Sequence, residues 1–337
     1  MNIIENNVSI DRDTTGGMDR MSFNKFITCA EDLVTTHEAT RAGFLGIALE
    51  KNRVSDPFVK TARAFKTMVS GLEKPEDLLT VERIRPFLIA ASGLSDKSLK
   101  YLDEDDRTAA IQELIDKFLK PSEGNFIDEV IYRYLLIKGD SVGGTMRNRI
   151  GALGEEKLIR GILSSLSVQG IEYDWCGGPP NYEWHHQPGN DAGLERSIKA
   201  LHWRNHRGER ILAFNMTIPV VGKNIDICLF ESDMEGYENG KIKNHPEKGL
   251  MFGELKAGID PAGADEHWKT GNTALERIRT SFSREGYFVK TAFVGAAIEK
   301  SMANEIYGQL QEGTLSNASN LHDEDQLNEF CSWTVSL

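Results

Sequence analysis

The sequence is poor in the residues that staple small or secreted domains. Its four cysteines, Cys29, Cys176, Cys228 and Cys331, are far apart, and no CxxC pair occurs among the 337 residues. This excludes a disulfide scaffold and a zinc ribbon. No apolar run approaches the roughly 20 residues needed to span a bilayer. The opening MNIIENNVSIDRDTTGGMDR lacks the basic start and apolar stretch of a signal peptide. A soluble protein of the reducing cytoplasm is expected, without a membrane partner and with residues 1–20 mobile. Positive charge is also in deficit, with 39 Lys and Arg against 51 Asp and Glu, a net charge of −12. A protein that coats nucleic acid through bulk charge is thereby excluded, whereas a local basic cleft is not.

What is present divides the chain in two. Residues 21–138 carry apolar side chains at three- and four-residue spacing, as in Phe58, Ala62, Phe65, Met68 and Val69, with almost no strand signal. Pro57, Pro75, Pro86 and Pro121 are expected near the ends of successive short helices. Residues 139–337 open on GDSVGG, read as a glycine-rich loop before a helix, and residues 171–190 read as an irregular loop. Strands are expected over 210–220, 224–230, 249–255 and 290–297, with helices over 265–285 and 301–310. The predicted fold class is α/β (α+β), a central mixed sheet joined to an all-helical domain.

Chemistry concentrates between residues 221 and 267. Asp226 interrupts the apolar run NIDICLF, where a carboxylate is costly to bury unless it is paired or metal-bound. On a second strand Glu254 and Lys256 are two residues apart, which places them on one face with Leu255 on the other. Two carboxylates and an ammonium on neighbouring strands suit a Mg²⁺-dependent phosphodiesterase. The same residues also suit a solvated strand face or a buried ion pair. His267 has a side chain able to accept a proton near neutral pH, or alternatively to pack beside Trp268. Residues 195–223 hold Arg196, Lys199, Arg204, Arg207, Arg210 and Lys223 against Glu195 and Glu209, a phosphate-binding footprint or a basic helix face forming surface salt bridges. Asp140, Arg147, Asn148 and Arg149 have the chemistry to read base edges. A zinc site on His185, His186, His202 and His206 is a weaker alternative, since no HExxH frame is present.

The segments GDSVGGTMRNRIGALGEEKL (139–158), Asp226 with Glu254-Leu255-Lys256, and DPAGADEHWKTGNTALERIR (260–279) resemble the AvaI/BsoBI type of type II restriction endonucleases. The resemblance covers nearly the whole chain from about Ser22. It implies a restriction-endonuclease-like core that cuts double-stranded DNA at a CYCGRG-like palindrome as a homodimer, with Mg²⁺ and no organic cofactor, leaving 5′-phosphates. It further implies that Asp226, Glu254 and the Leu255 carbonyl bind the metal, that Lys256 completes the catalytic set, and that His267 is the general base. Lys97, Lys223 and Asp260 match positions at the DNA interface. Ile225 stands where the common nuclease motif has proline, and this leaves the carboxylate chemistry untouched. A DNA-binding protein without catalysis is the reading from a different class.

Overall fold

The computed structural model describes residues 23–178 and 182–337. The expected mobility of residues 1–20 lies outside the described residues. The helices are α1 (His37–Val69), α2 (Arg85–Ala91), α3 (Glu104–Leu114), α4 (Phe126–Val168), α5 (Met234–Tyr237), α6 (Ala264–Arg284), α7 (Lys300–Glu312) and α8 (Glu324–Ser336). The strands are β1 (Tyr173–Cys176), β2 (Trp184–His186), β3 (Ala200–Asn205), β4 (Gly208–Ile218), β5 (Lys223–Glu231), β6 (Gly249–Lys256), β7 (Lys290–Gly295) and β8 (Asn317–Asn320).

The strands form one mixed sheet in the order β2-β1-β3-β4-β5-β6-β7-β8. Pairing is antiparallel from β2 to β6 and parallel from β6 to β8. Each face supports a core. Ile211, Cys228, Phe252 and Phe293 pack with Trp268, Leu275 and Phe282 of α6 and with Met302 and Ile306 of α7. Leu212, Leu229, Met251 and Val294 face Leu158, Ile162 and Leu166 of α4 and Leu327 and Phe330 of α8. A third core, built on Phe65, Phe87, Leu114, Val130 and Tyr134, fills the helical region. The expected central mixed sheet with an attached helical region is therefore present.

Three local expectations are corrected. GDSVGG is not a loop: it lies inside α4, a helix of 43 residues. Glycine costs about 1 kcal/mol in a helix, but Val130 and Tyr134 anchor α4 in the helical core, and Leu158 to Leu166 anchor it under the sheet. Between these anchors Val142 and Met146, one turn apart, are buried as well. Position 138–139, where the two halves were expected to part, is thus internal to one helix. Pro57 does not end a helix but sits on the exposed surface midway along α1. The missing donor costs one hydrogen bond there, while Ala62, Phe65 and Val69 hold the following turns. The stretch 171–190 contains β1 and β2, paired at Trp175 and His185, whose rings are 4.7 Å apart.

Two glycines let helices approach the end of β6. A Cβ on Gly43 of α1 would lie within 2.4 Å of the Ile259 side chain, and one on Gly154 of α4 would lie 2.3 Å from the Ala257 Cβ. Both helices are thus pressed against the segment that leaves β6.

Candidate active site

Asp226 stands near the start of β5, and Glu254, Leu255 and Lys256 end β6. The two strands stay in antiparallel register as far as Ile227 opposite Gly253. Beyond that pair the Asp226 carboxylate takes over from the backbone: Oδ2 accepts from the Leu255 N–H at 2.8 Å. Glu254 and Lys256 share a face, as alternation requires, and Lys256 Nζ lies 2.5 Å from Glu254 Oε2 and 3.6 Å from Asp226 Oδ2. The four residues expected to act together are therefore together, with an ammonium set between two carboxylates.

Burial sets the electrostatics. Glu254 is 5% exposed. Desolvation pushes its carboxyl above the usual range and the negative charge of Asp226 pushes further, against the pull of Lys256. Burial works against the Lys256 charge too, but Glu254 and Asp226 more than offset it and raise the ammonium above its ordinary value. The pocket is thus short of positive charge even with Lys256 present. Two carboxylates and the nearby Leu255 carbonyl offer hard oxygen donors, which fits a hard divalent cation that keeps several waters. No third carboxylate or imidazole joins them: among the described residues no cluster of three or more His, Cys, Asp or Glu is placed to hold a metal.

His267 lies in the first turn of α6, on the side that faces the end of β6. Its Nε2 would be 3.1 Å from a Cβ on Gly258 and 3.4 Å from one on Gly263. One turn on, Gly271 leaves room for Lys256, whose Cε would be 3.7 Å from an added Cβ. The half-buried His267 ring makes no hydrogen bond or ion pair among the described residues. Lys223, exposed at the start of β5, stands three residues before Asp226, at the same end of the sheet. Asp260 caps the 3₁₀ turn Pro261–Gly263, accepting from Ala262 N–H at 3.0 Å.

The remaining expected contacts are spread over the helical part. Lys97 is exposed beside the turn Ser98–Lys100. Asp140, Arg147 and Asn148 are exposed along α4. Arg149 differs: its guanidinium is engaged by Glu50 at 2.7 Å and Glu156 at 2.8 Å. The basic stretch 195–223 is largely spoken for as well. Arg196 faces Glu156 at 3.7 Å, Lys199 faces Glu155 at 3.0 Å, and Arg204 faces Glu209 at 2.6 Å. Arg210 is buried and donates to the Leu337 carbonyl at 2.8 Å. Lys223 and Arg207 carry no carboxylate partner among the described residues, and Arg207 lies in the β3–β4 turn at the far end of the sheet. Of the expected basic stretch, Lys223 is the cation without a carboxylate partner that stands at the Asp226 end of the sheet. Among the described residues the four histidines are not assembled into a zinc site either, and both His202 ring nitrogens face carboxylates, Asp174 at 3.2 Å and Glu209 at 2.8 Å.

Sequence reasoning missed Asn215 and Glu155. The Nδ2 of Asn215 donates to Glu155 Oε2, which joins β4 to α4. The one signal was a lone asparagine within the apolar run RILAFNMTIPV.

Comparison with known proteins shows the family. The family described as Restriction endonuclease BsobI matches residues 23–337. The chain is 49% identical over 317 residues to the type II restriction enzyme BsoBI of Geobacillus stearothermophilus, covering 94% of this chain and 98% of that protein. It is 47% identical over 317 residues to the type II restriction enzyme AvaI of Nostoc sp. (strain PCC 7120), covering 94% of this chain and all of that protein. With a carboxylate, Glu-x-Lys site on a central mixed sheet and similarity along nearly its full length, the chain belongs to the BsoBI family of restriction endonucleases.

Proposed function

We propose that this protein is a Mg²⁺-dependent type II endonuclease that hydrolyses double-stranded DNA at a CYCGRG-like palindrome as a cytoplasmic homodimer. The observation that carries the reading is the Lys256 ammonium set between a buried Glu254 and Asp226. In this reading residues 21–138 form a helical DNA-embracing region and 139–337 the catalytic region, with α4 shared between them.

Asp226, Glu254 and the Leu255 carbonyl would hold the cation, which when bound neutralises a phosphoryl oxygen and acidifies a water. Lys256 stabilises the negative charge that builds on the phosphorus oxygens during attack. His267, whose ring nitrogens are free of other partners among the described residues, takes the proton from the attacking water. In-line displacement of the 3′ oxygen leaves a 5′-phosphate and a 3′-hydroxyl. Lys97, Asp140, Arg147, Asn148, Lys223 and Asp260 are assigned to the DNA interface, Lys223 to a phosphate near the cut. Arg149 reaches DNA only by giving up Glu50 and Glu156. A palindromic site calls for a two-fold dimer, and the exposed Phe44, Leu45 and Leu49 on α1 supply apolar surface suited to such an interface.

The test is cleavage of plasmid DNA with and without Mg²⁺ by the protein and by Glu254→Ala. Loss of cleavage with retained binding supports the enzyme. DNA left intact by the unaltered protein in Mg²⁺ supports the reading as a DNA-binding protein without catalysis.

A further inference from the structure

Asn215 is the only residue other than glycine with a positive φ among the described residues, at 54°. Asparagine tolerates this region as a single position, where most side chains do not. In the β4–β5 ladder Phe214 pairs with Ile227 and Met216 with Ile225, so Asn215 stands opposite Asp226. Both strands change face at this level. Leu212 and Phe214 point into the α4 core, but Met216 and Ile218 point into the α6 core. On β5, Ile227 and Leu229 lie in the first and Ile225 in the second. A regular strand keeps residues two apart on one face, so both strands turn where Asn215 meets Asp226. At this turn the Asp226 carboxylate accepts from the Leu255 N–H.

The turn is held from one side. Asn215 Nδ2 donates to Glu155 Oε2 of α4, and Asn215 Oδ1 accepts from Asn224 Nδ2 at 3.4 Å. Lys199 Nζ fixes the other carboxylate oxygen of Glu155 at 3.0 Å. The Glu155 side chain is 16% exposed, and the adjacent Glu156 is pinned by Arg149. We infer that Glu155 and Asn215 form a positioning pair that fixes the backbone turn opposite Asp226 and thereby the placement of its carboxylate. Neither residue touches the reacting atoms. The inference deepens the cleavage reading and rests on it.

The test is single-turnover cleavage by Asn215→Ala, Glu155→Ala, Glu155→Gln and the double alanine variant, beside metal-free DNA affinity and thermal melts. Each single alanine is expected to slow cleavage by about tenfold or more, since small misplacements of catalytic groups are costly. The half-saturating Mg²⁺ concentration rises, while metal-free DNA affinity stays within about twofold of the unaltered protein. The double variant is no slower than the slower single one, because the pair acts as a unit. Glu155→Gln keeps an acceptor oxygen for Asn215 and restores the rate to within about threefold. Asn215→Gly keeps the left-handed backbone and so folds even if Asn215→Ala does not; it is expected to be as slow as Glu155→Ala. Unchanged rates in the alanine variants overturn the inference alone. So does a Glu155→Gln variant as slow as Glu155→Ala, since Glu155 then acts through its charge. Uncut DNA with the unaltered protein overturns the cleavage reading and the inference together.

Discussion

Replacing Lys256 with methionine removes the one ammonium between Asp226 and Glu254 while keeping an unbranched apolar stem. Two unit charges 2.5 Å apart attract by about 7 kcal/mol at an effective dielectric of about 20. Desolvation of the lysine offsets part of this, and breaking a buried pair costs about 3–5 kcal/mol. The variant escapes the full cost because Glu254, already pushed up by burial and by Asp226, takes a proton instead. The sign follows from that direction. A carboxyl whose folded value is raised favours the folded state at acid pH, and this contribution is lost as pH rises through the raised value. Cation binding needs the carboxylate, so activity falls as pH drops through the same value, and without Lys256 that fall begins at higher pH. The assay is single-turnover cleavage against pH at fixed Mg²⁺. Near neutrality Lys256→Met should be slower by about 10²–10³-fold, the scale of losing one electrostatic stabiliser, with its acid limb displaced upward. A profile parallel to that of the unaltered protein, lowered by a constant factor, would refute the electrostatic coupling.

Other expectations are equally open to measurement. His267→Ala should lower the single-turnover rate; an undiminished rate would remove His267 from the mechanism. Gly154→Ala would set a methyl 2.3 Å from the Ala257 Cβ, and urea unfolding should show a loss of about 1–3 kcal/mol. Arg147→Ala should weaken DNA binding and reduce the slope of log affinity against log salt by about 1 if Arg147 meets a phosphate. Arg149→Ala should instead lower thermal stability, because it frees Glu50 and Glu156, and should leave the salt slope nearly unchanged.

The pairing of Asp226 on β5 with Glu254 and Lys256 on β6 was legible because their chemistry conflicts with their surroundings. A carboxylate inside NIDICLF and a Glu-x-Lys on an apolar strand demand partners, and period-two alternation already places Glu254 beside Lys256. Helices α6 and α7 were legible to within a residue or two from their periodicity. GDSVGG was not, because helix propensity is local and what holds α4 as one continuous helix is two separate cores at its ends. The charge in residues 195–223 misled for a similar reason. Sequence shows Arg204 and Glu209 but not that they pair across β3 and β4, nor that Glu155 of α4 faces Lys199. Three of the six cations of this stretch, Arg196, Lys199 and Arg204, are thus paired with carboxylates, and Lys223 stands without one at the Asp226 end of β5. The Asn215 turn left only an interrupted apolar run, since no local pattern reveals which residue will face Asp226.

The most direct test of the account is digestion of a sequenced plasmid by the purified protein in Mg²⁺, followed by mapping of every cut end. Cuts confined to CYCGRG-like palindromes, symmetric on the two strands and bearing 5′-phosphates, are the predicted result. Intact DNA, cuts at unrelated or non-palindromic sequences, or ends bearing 3′-phosphates would contradict it.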